Sequence, residues 1–235
     1  MSRRAIILAG GRGSRLKPYT ISLPKPLVPI NDKPIIEIII EQLIDDGFDH
    51  ITFTINHMAE IIKAFCGDGS KWGIKIDYSQ EEKPLSTIGP IKLIKNLPDN
   101  FLLMNGDVLT DLSFSKFYEY HCNHSNLFTV SSKFREHIND YGVLVKNKNK
   151  KLISFKEKPK SNFEVSMGVY MVNKEILKLV PDNQYFGFDN LMLKMLELKM
   201  EIDVKSHNGY WLDIGRPDDY NKAISDYELY FKKKL

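Results

Sequence analysis

Two hydrophobic patterns alternate through the first half of the chain. Short apolar or β-branched runs bounded by polar residues have the length of buried strands. These runs are Arg4–Leu8, His50–Ile55, Ile74–Tyr78 and Phe101–Met104. The segments between them leave room for crossover helices, and this order predicts an α/β fold with a mostly parallel sheet and right-handed connections.

The clearest helical pattern covers Pro34–Asp46. Its apolar residues recur at the three- and four-residue spacing of one helix face, namely at Ile36, Ile39, Ile40 and Leu43. Pro34 suits the first helical position, where its missing amide hydrogen would have no intrahelical partner in any case. Gly47 suits the residue that closes the C-terminal end of the helix.

The second half of the chain mixes strands with helices. A turn-like Asn147–Lys150 separates two short apolar runs and predicts a β-hairpin. The predicted strands of this half are Tyr141–Val145, Leu152–Phe155 and Val165–Val172. The predicted helices are Phe188–Leu198 and Pro217–Tyr230. The lysines at 232 to 234 fit a solvated helix end. No linker or repeat divides the sequence, which predicts a single domain over residues 1–235.

Composition excludes several classes of protein. The 235 residues are 43% hydrophobic, which is enough for a packed core, and the formal net charge of +3 gives no reason to expect a nucleic-acid partner. The two cysteines, Cys66 and Cys122, are too few and too far apart for a disulfide framework and are expected to be reduced.

The apolar run at the N-terminus is too short for a signal peptide, and no run has the length of a membrane span. A cytoplasmic protein with no membrane partner is expected.

The first predicted strand leads into a loop with three glycines, Gly10, Gly11 and Gly13. Glycines let backbone amides approach an anion closely, and Arg12 and Arg15 add positive charge. The spacing matches neither a dinucleotide fingerprint nor a P-loop, so both of those folds are disfavoured. A tight turn carrying surface arginines is the alternative interpretation.

A second segment, around Lys25, adds to the signal of the glycine loop. Prolines on both sides of Lys25 restrict the backbone and would hold its ammonium group in place. The stretch Leu8–Leu16, followed by Pro24-Lys25-Pro26, resembles the signature of the sugar 1-phosphate nucleotidyltransferases. It is most similar to the short guanylyltransferases that act on mannose or heptose phosphates. Further segments of that family follow in order, namely Gly67-Asp68-Gly69-Ser70, Pro84-Leu85, Asn105-Gly106-Asp107, Phe155-Lys156-Glu157-Lys158-Pro159 and Trp211-Leu212-Asp213-Ile214-Gly215. Since the chain ends soon after the last segment, it is expected to be the catalytic domain without the left-handed β-helix of longer relatives.

The resemblance implies a Rossmann-like three-layer sandwich with a mixed sugar-binding part. It also implies an enzyme that joins a nucleoside triphosphate to a sugar 1-phosphate and releases pyrophosphate. The implied catalytic residues are Arg15, Lys25, Asp107 and Asp213. The implied nucleotide-binding residues are Leu8, Ala9, Gly10, Gly11, Arg12, Gly13, Ser14, Glu81 and Gly89. The implied sugar-phosphate-binding residues are Gly142, Glu157, Lys158 and Asp189.

Two carboxylates follow strand-like runs and have few histidines nearby, a combination that suits Mg²⁺. The resemblance implies that Asp107 and Asp213 hold this ion, although a turn aspartate that caps backbone amides is the commoner role for such a residue. Three other assignments also have simpler structural explanations. Glu157 and Lys158 could form a surface ion pair, Gly142 could be an ordinary hairpin glycine, and Asp189 could cap a helix.

The family position that reads the base is best matched by Glu81. A carboxylate offers only acceptors, and guanine presents two adjacent donors, whereas uracil and thymine present one donor between two acceptors. Glu81 therefore favours GTP. A shift of one residue to Gln80 would reverse the inference, and cytosine, with one amino donor, stays open.

Departures from the family pattern leave rival functions open. Leu85-Ser86-Thr87-Ile88-Gly89 and Ser166-Met167-Gly168-Val169-Tyr170 differ from the usual segments at the base and sugar pockets and favour an unusual sugar, such as a heptose, for a surface glycan. A cytidylyltransferase acting on a phosphorylated alcohol is one rival. A catalytically silent nucleotide-sugar-binding subunit is another, and the sequence also leaves a homo-oligomer open.

Overall fold

The structure of the protein is a computed structural model that describes residues 2–231. The lysines at 232 to 234, predicted as a solvated helix end, lie outside the described residues. In chain order the strands are β1 (Arg4–Leu8), β2 (Pro29–Ile30), β3 (Lys33–Pro34), β4 (His50–Ile55), β5 (Lys75–Gln80), β6 (Asn100–Asn105), β7 (Val108–Thr110), β8 (Phe128–Ile138), β9 (Val143–Lys146), β10 (Leu152–Lys156), β11 (Lys160–Asn173), β12 (Asp203–Ser206) and β13 (Trp211–Asp213). The α-helices are α1 (Ile35–Asp45), α2 (Ala59–Cys66), α3 (Phe114–Asn123), α4 (Phe188–Glu197) and α5 (Pro217–Tyr230).

Seven strands form the central sheet, in the order β12-β8-β11-β6-β1-β4-β5. β1 pairs in parallel with β4 and β6, β4 with β5, and β12 with β8, whereas β11 runs antiparallel to both β6 and β8. The sheet is therefore mostly parallel, as predicted. Among the described residues, three further pairs lie outside it: β2 with β3, β7 with β13, and β9 with β10.

Side chains on the two faces of the sheet belong to separate apolar cores. In β1, Ala5 and Ile7 join one core and Ile6 joins the other, because successive strand residues point to opposite faces. Helices α1, α2, α3 and α5 bury side chains in the first core, and α4 does so in the second. The result is a three-layer α/β sandwich, which confirms the predicted fold class.

Most predicted elements have bounds close to those observed, with one clear error at α1. Strands β1 and β4 and helix α5 match their predicted limits. Pro34, predicted as the first helical residue, instead precedes the helix with an extended ψ of 145°. It is extended because it pairs with Pro29 in the short β2–β3 ladder. Gly47 follows the helix with φ 80°, as its predicted role requires.

Strand β11 is longer than its predicted core of Val165–Val172, because it pairs with β8 out to Lys160. Its register shifts between Ser166 and Tyr170, and within that bulge Gly168 has φ 73°. Beyond this point the β8–β11 ribbon leaves the core and is largely exposed.

Cys66 and Cys122 are both free thiols. Within residues 2–231, no helix has the length and apolar character needed to cross a bilayer.

Candidate active site

The glycine loop leaves β1 at the carboxyl edge of the parallel strands, where ligands bind in open α/β sheets. Its first residue is fixed because the Ala9 amide donates to the Thr54 carbonyl at 2.9 Å. The amides of residues 10 to 13 donate no hydrogen bond to any acceptor in the described part of the chain. They are therefore available to bind an anion.

The far end of the loop is packed too tightly for any side chain. Gly13 has φ 60°, and a Cβ there would lie 2.9 Å from Thr20 and 3.1 Å from the Cβ of Lys25. The Thr20 hydroxyl donates to the Gly13 carbonyl at 2.8 Å. The loop is thus held against the segment that carries Lys25, while the side chains of Arg12 and Ser14 are exposed.

Lys25 is flanked by Pro24 and Pro26 and begins a short 3₁₀ turn, Lys25–Leu27. Only 9% of the residue is exposed. Its ammonium group donates to Oδ2 of Asp107 and forms an ion pair with it. The proline-restricted backbone therefore places this charge at a defined point beside the loop.

Asp107 and Asp213 are brought together by one short strand pair and by backbone hydrogen bonds on either side of it. The Gly106 amide donates to the Leu8 carbonyl at 2.9 Å, which sets Asp107 beside the end of β1. Pairing of β7 with β13 places Asp213 opposite Val108, and the Ile214 amide donates to the Asp107 carbonyl at 3.0 Å. Asp107 and Asp213 are far apart in sequence but lie in the same corner of the site.

The charges in this corner nearly balance. Burial, and then the negative charge of Asp107, raise the pKa of Asp213 above its usual value, while the positive charges of Lys25 and Arg15 act in the opposite direction. Arg15 also lies beside Gly215, where a Cβ would be 3.7 Å from its guanidinium group. The other three predicted catalytic residues therefore all act electrostatically on Asp213.

The donor set of this corner suits a hard cation. Oδ1 of Asp107 is buried and has no hydrogen-bond partner. Among residues 2–231, no group of three or more His, Cys, Asp or Glu side chains could hold a metal ion. A cation bound here would have two protein carboxylates at most and would need water and substrate oxygens to complete its shell, which is the usual arrangement for Mg²⁺.

A cleft of ≈ 400 Å³ opens between the glycine loop, residues 81 to 90 and Asp107. Leu8, Gly10, Gly11 and Glu81, all predicted to bind the nucleotide, line it. Thr54, Asn105 and Tyr185 also line it and were missed. Asn105 lies within a segment that carries the family resemblance and could have been found. Tyr185 has no sequence signal, because its position depends on how α4 packs on the sheet.

Glu81, and not Gln80, faces this cleft. The carboxylate of Glu81 is held in place, since Oε1 accepts from Asn56 at 3.1 Å and Oε2 accepts from the Leu85 amide at 2.8 Å. Gln80 lines a separate cleft and accepts from Lys63 at 3.0 Å. The one-residue shift that would reverse the base inference is therefore disfavoured.

Gly89 and Asp189 are not among the residues that line the cleft. Gly89 is buried, its amide donates to the Phe186 carbonyl at 3.0 Å, and a Cβ there would be 2.9 Å from the Gln184 carbonyl. It acts as a packing residue and does not line the cleft. Asp189 is exposed in the first turn of α4, where Asn190, and not Asp189, accepts from the backbone at the helix start.

The predicted sugar-phosphate residues on the β9–β10 hairpin form a group of their own. A Cβ on Gly142 would lie 2.5 Å from the Phe155 ring and 3.0 Å from the Glu157 carboxylate. Glu157 and Lys158 are exposed, and neither forms an ion pair within residues 2–231. The surface-pair alternative is not observed. In the same part of the chain, no hydrogen bond joins this hairpin to Asp107 or Asp213.

Residues 4–229 match the Nucleotidyl transferase family. The chain belongs to this family. The names of its relatives differ in the nucleotide base and in the sugar.

Three curated relatives illustrate that range. The UTP–glucose-1-phosphate uridylyltransferase of Synechocystis is 32% identical over 94% of this chain and 62% of the relative. The mannose-1-phosphate guanylyltransferase catalytic subunit beta of Drosophila melanogaster is 31% identical over 98% of this chain and 64% of the relative. The chain thus spans less than two thirds of these relatives. The D-glycero-alpha-D-manno-heptose 1-phosphate guanylyltransferase of Aneurinibacillus thermoaerophilus is 33% identical over 96% of this chain and 99% of the relative.

A solved nucleotidyltransferase structure covers the same extent. HddC from Yersinia pseudotuberculosis, crystallised in complex with GMP-PN, is 28% identical with a TM-score of 0.73. The alignment covers 96% of this chain and 99% of HddC. This likeness supports the Rossmann-like three-layer architecture that the family resemblance implied.

Proposed function

We propose that this protein transfers GMP from GTP to the 1-phosphate of a mannose- or heptose-type sugar, with release of pyrophosphate. The observation that carries the proposal is the junction of three groups: a loop with unpaired amides, a fixed lysine, and two adjoining carboxylates. That combination serves transfer of a phosphoryl centre between anions, where alignment and charge compensation supply most of the catalysis.

In the proposed reaction, an ionised phosphate oxygen of the sugar 1-phosphate attacks the α-phosphorus of GTP. A new P–O bond forms, and the bond from the α-phosphorus to the oxygen that bridges to the β-phosphate breaks. Pyrophosphate leaves with that electron pair. No side-chain nucleophile is needed, because the attacking oxygen is already ionised.

Each charged residue has one task in this scheme. The amides of residues 10 to 13 and the guanidinium group of Arg15 hold the triphosphate. Lys25 compensates the negative charge that builds up on the α-phosphate oxygens. Asp107 and Asp213 hold Mg²⁺, which supplies Lewis-acid polarisation of the phosphate oxygens when bound. The unpaired Oδ1 of Asp107 supports this last assignment.

The base is proposed to be read by Glu81, whose two fixed oxygens each keep a lone pair for the adjacent donors of guanine. The names of the Drosophila and Aneurinibacillus relatives and the GMP-PN complex of HddC support the same choice. The sugar is proposed to dock on the β9–β10 hairpin, with Lys158 on its phosphate and Glu157 on a hydroxyl. The tight approach at Gly142 leaves this surface free of an obstructing side chain.

The test is pyrophosphate release with Mg²⁺, each of GTP, CTP, UTP, dTTP and ATP, and mannose, glucose or manno-heptose 1-phosphate. The proposal expects release that needs both substrates, is fastest with GTP and a manno-configured sugar, and disappears in Asp107→Ala. A preference for CTP or UTP would overturn the base assignment alone. Binding without turnover across the whole panel would favour a silent nucleotide-sugar-binding subunit.

A further inference from the structure

Lys25 supplies a positive charge to the carboxylate that would bind the metal ion. Its ammonium group is paired with Oδ2 of Asp107, and the residue is nine-tenths buried. The other oxygen of the same carboxylate is buried and has no partner. The Asp107 carboxylate therefore binds Lys25 through Oδ2 and leaves Oδ1 free to bind a second cation.

Two cations on one carboxylate oppose each other. A divalent ion at Oδ1 would lie close to the ammonium group across a single carboxylate, whose side chain is 22% exposed. Of the surrounding charges, Asp213 and Asp219 are negative, and Arg15 adds a further positive charge. Lys25 therefore already neutralises Asp107 in the free protein, and a metal ion alone would add two positive charges beside that ion pair.

Lys25 can leave Asp107 without movement of the main chain. Its Cβ packs next to Gly13, so its stem begins beside the amides that would hold the phosphates. A flexible four-carbon stem can move the ammonium group from the carboxylate to a neighbouring phosphate oxygen while the proline-restricted backbone stays fixed. The negative charge of the triphosphate supplies the attraction for that movement.

We propose that Lys25 is the counter-ion of Asp107 in the free protein and competes with a divalent cation for this carboxylate until the nucleotide takes the lysine over. Metal and nucleotide then enter together, and Lys25 changes partner from carboxylate to phosphate as they do so. This inference rests on the proposed function for the role of Asp107. It adds an order of binding and a second role for the lysine.

The test is Mn²⁺ binding to the nucleotide-free protein, measured by electron paramagnetic resonance of the unbound ion. Removing the positive charge beside Oδ1 removes a Coulomb repulsion on a divalent cation, so Lys25→Met is expected to raise Mn²⁺ affinity by about tenfold or more. Arg15→Met removes the same charge without breaking the Asp107 pair, so a distinctly smaller change is expected. Adding Asp107→Asn to Lys25→Met should abolish the gain. Equal or weaker Mn²⁺ binding by Lys25→Met than by the unaltered protein would overturn the proposal.

Removing the lysine leaves a buried carboxylate without its partner, so Lys25→Gln serves as a second variant that keeps a hydrogen-bond donor. A measurement on the unaltered protein needs no variant at all. Labelling of lysines with an amine-reactive reagent, read by mass spectrometry, should find Lys25 protected in the free protein. Saturating Mn²⁺ should increase its labelling, with exposed Lys158 as the internal reference. Unchanged protection of Lys25 at full Mn²⁺ occupancy would contradict the exchange.

These measurements use neither a sugar phosphate nor a choice of base. If pyrophosphate release shows another nucleotide preference, the Mn²⁺ results still test whether Lys25 competes with a divalent cation for Asp107. If Mn²⁺ affinity is independent of Lys25 while GTP and a sugar phosphate react, the exchange fails and the proposed function stands.

Discussion

Glu81→Gln should change which nucleotide the protein prefers without disturbing its fold. Glu81 accepts one hydrogen bond from Asn56 at 3.1 Å and one from the Leu85 amide at 2.8 Å. A glutamine can keep its oxygen toward Leu85 and turn its NH₂ toward Asn56, whose amide can rotate to accept. The variant therefore leaves no buried donor unpaired. What changes is the edge that the base meets, from two acceptors to one acceptor and one donor.

The size of the effect follows from one lost hydrogen bond to a charged group. Such a bond is worth about 1.5–3 kcal/mol. With about 1.4 kcal/mol per tenfold in rate, kcat/KM for GTP should fall about 10- to 150-fold. For UTP and dTTP, whose single donor lies between two acceptors, kcat/KM should hold or rise.

The assay is kcat/KM for GTP, UTP and dTTP at one fixed sugar 1-phosphate, from initial rates of pyrophosphate release. Gln80→Ala is the matched control, because Gln80 contacts Lys63 in the neighbouring cleft and should leave the nucleotide ratio unchanged. The reasoning is refuted if Glu81→Gln keeps its GTP-to-UTP ratio within about twofold, or if Gln80→Ala shifts that ratio.

Three further outcomes are expected. Burial lowers the pKa of His121 to about 4 from 6.5, so its neutral form is favoured in the folded protein and protonation destabilises it as pH falls below 6.5. Urea unfolding should then show a loss of about 2 kcal/mol between pH 7 and pH 5, absent in His121→Gln. Gly142→Ala would place a methyl group 2.5 Å from Phe155, so steady-state kinetics should show a raised KM for the sugar phosphate with little change in KM for the nucleotide; an equal rise in both would argue against a sugar-specific role. Asp213→Asn should raise the melting temperature of the metal-free protein, because burial and Asp107 disfavour the carboxylate, and it should abolish turnover; a lower melting temperature would contradict this reading of the site.

The strands buried on both faces were predictable because their apolar runs are continuous. β1 and β4 have the predicted limits for that reason, and α5 begins at Pro217 as its sequence indicates. Strand β8 was not predicted. Its first half, Phe128–Ser132, is buried, and its second half is exposed, so neither periodicity extends through it. The edge strand β12 is polar and exposed for most of its length and carries no hydrophobic signal.

The site was predictable in its parts but not in its assembly. The glycine loop and the proline-flanked Lys25 carry local signals. Lys25 and Asp107 are separated by 82 residues, and their ion pair depends on the Gly106–Leu8 hydrogen bond across neighbouring strands. The spacing of residues along the sequence does not predict that contact. Tyr185 reaches the cleft only through the packing of the segment before α4, which local sequence does not encode.

The most direct test of the central claim follows the α-phosphate itself. The protein is incubated with Mg²⁺, GTP labelled at the α-phosphate and manno-heptose or mannose 1-phosphate, and the products are separated. We expect the label to appear in a nucleotide sugar, with one pyrophosphate released per molecule formed, and no product from Asp107→Asn. Label that stays in GTP or appears as GMP or GDP without the sugar, or equal turnover by Asp107→Asn, would contradict the assignment of this site to nucleotidyl transfer.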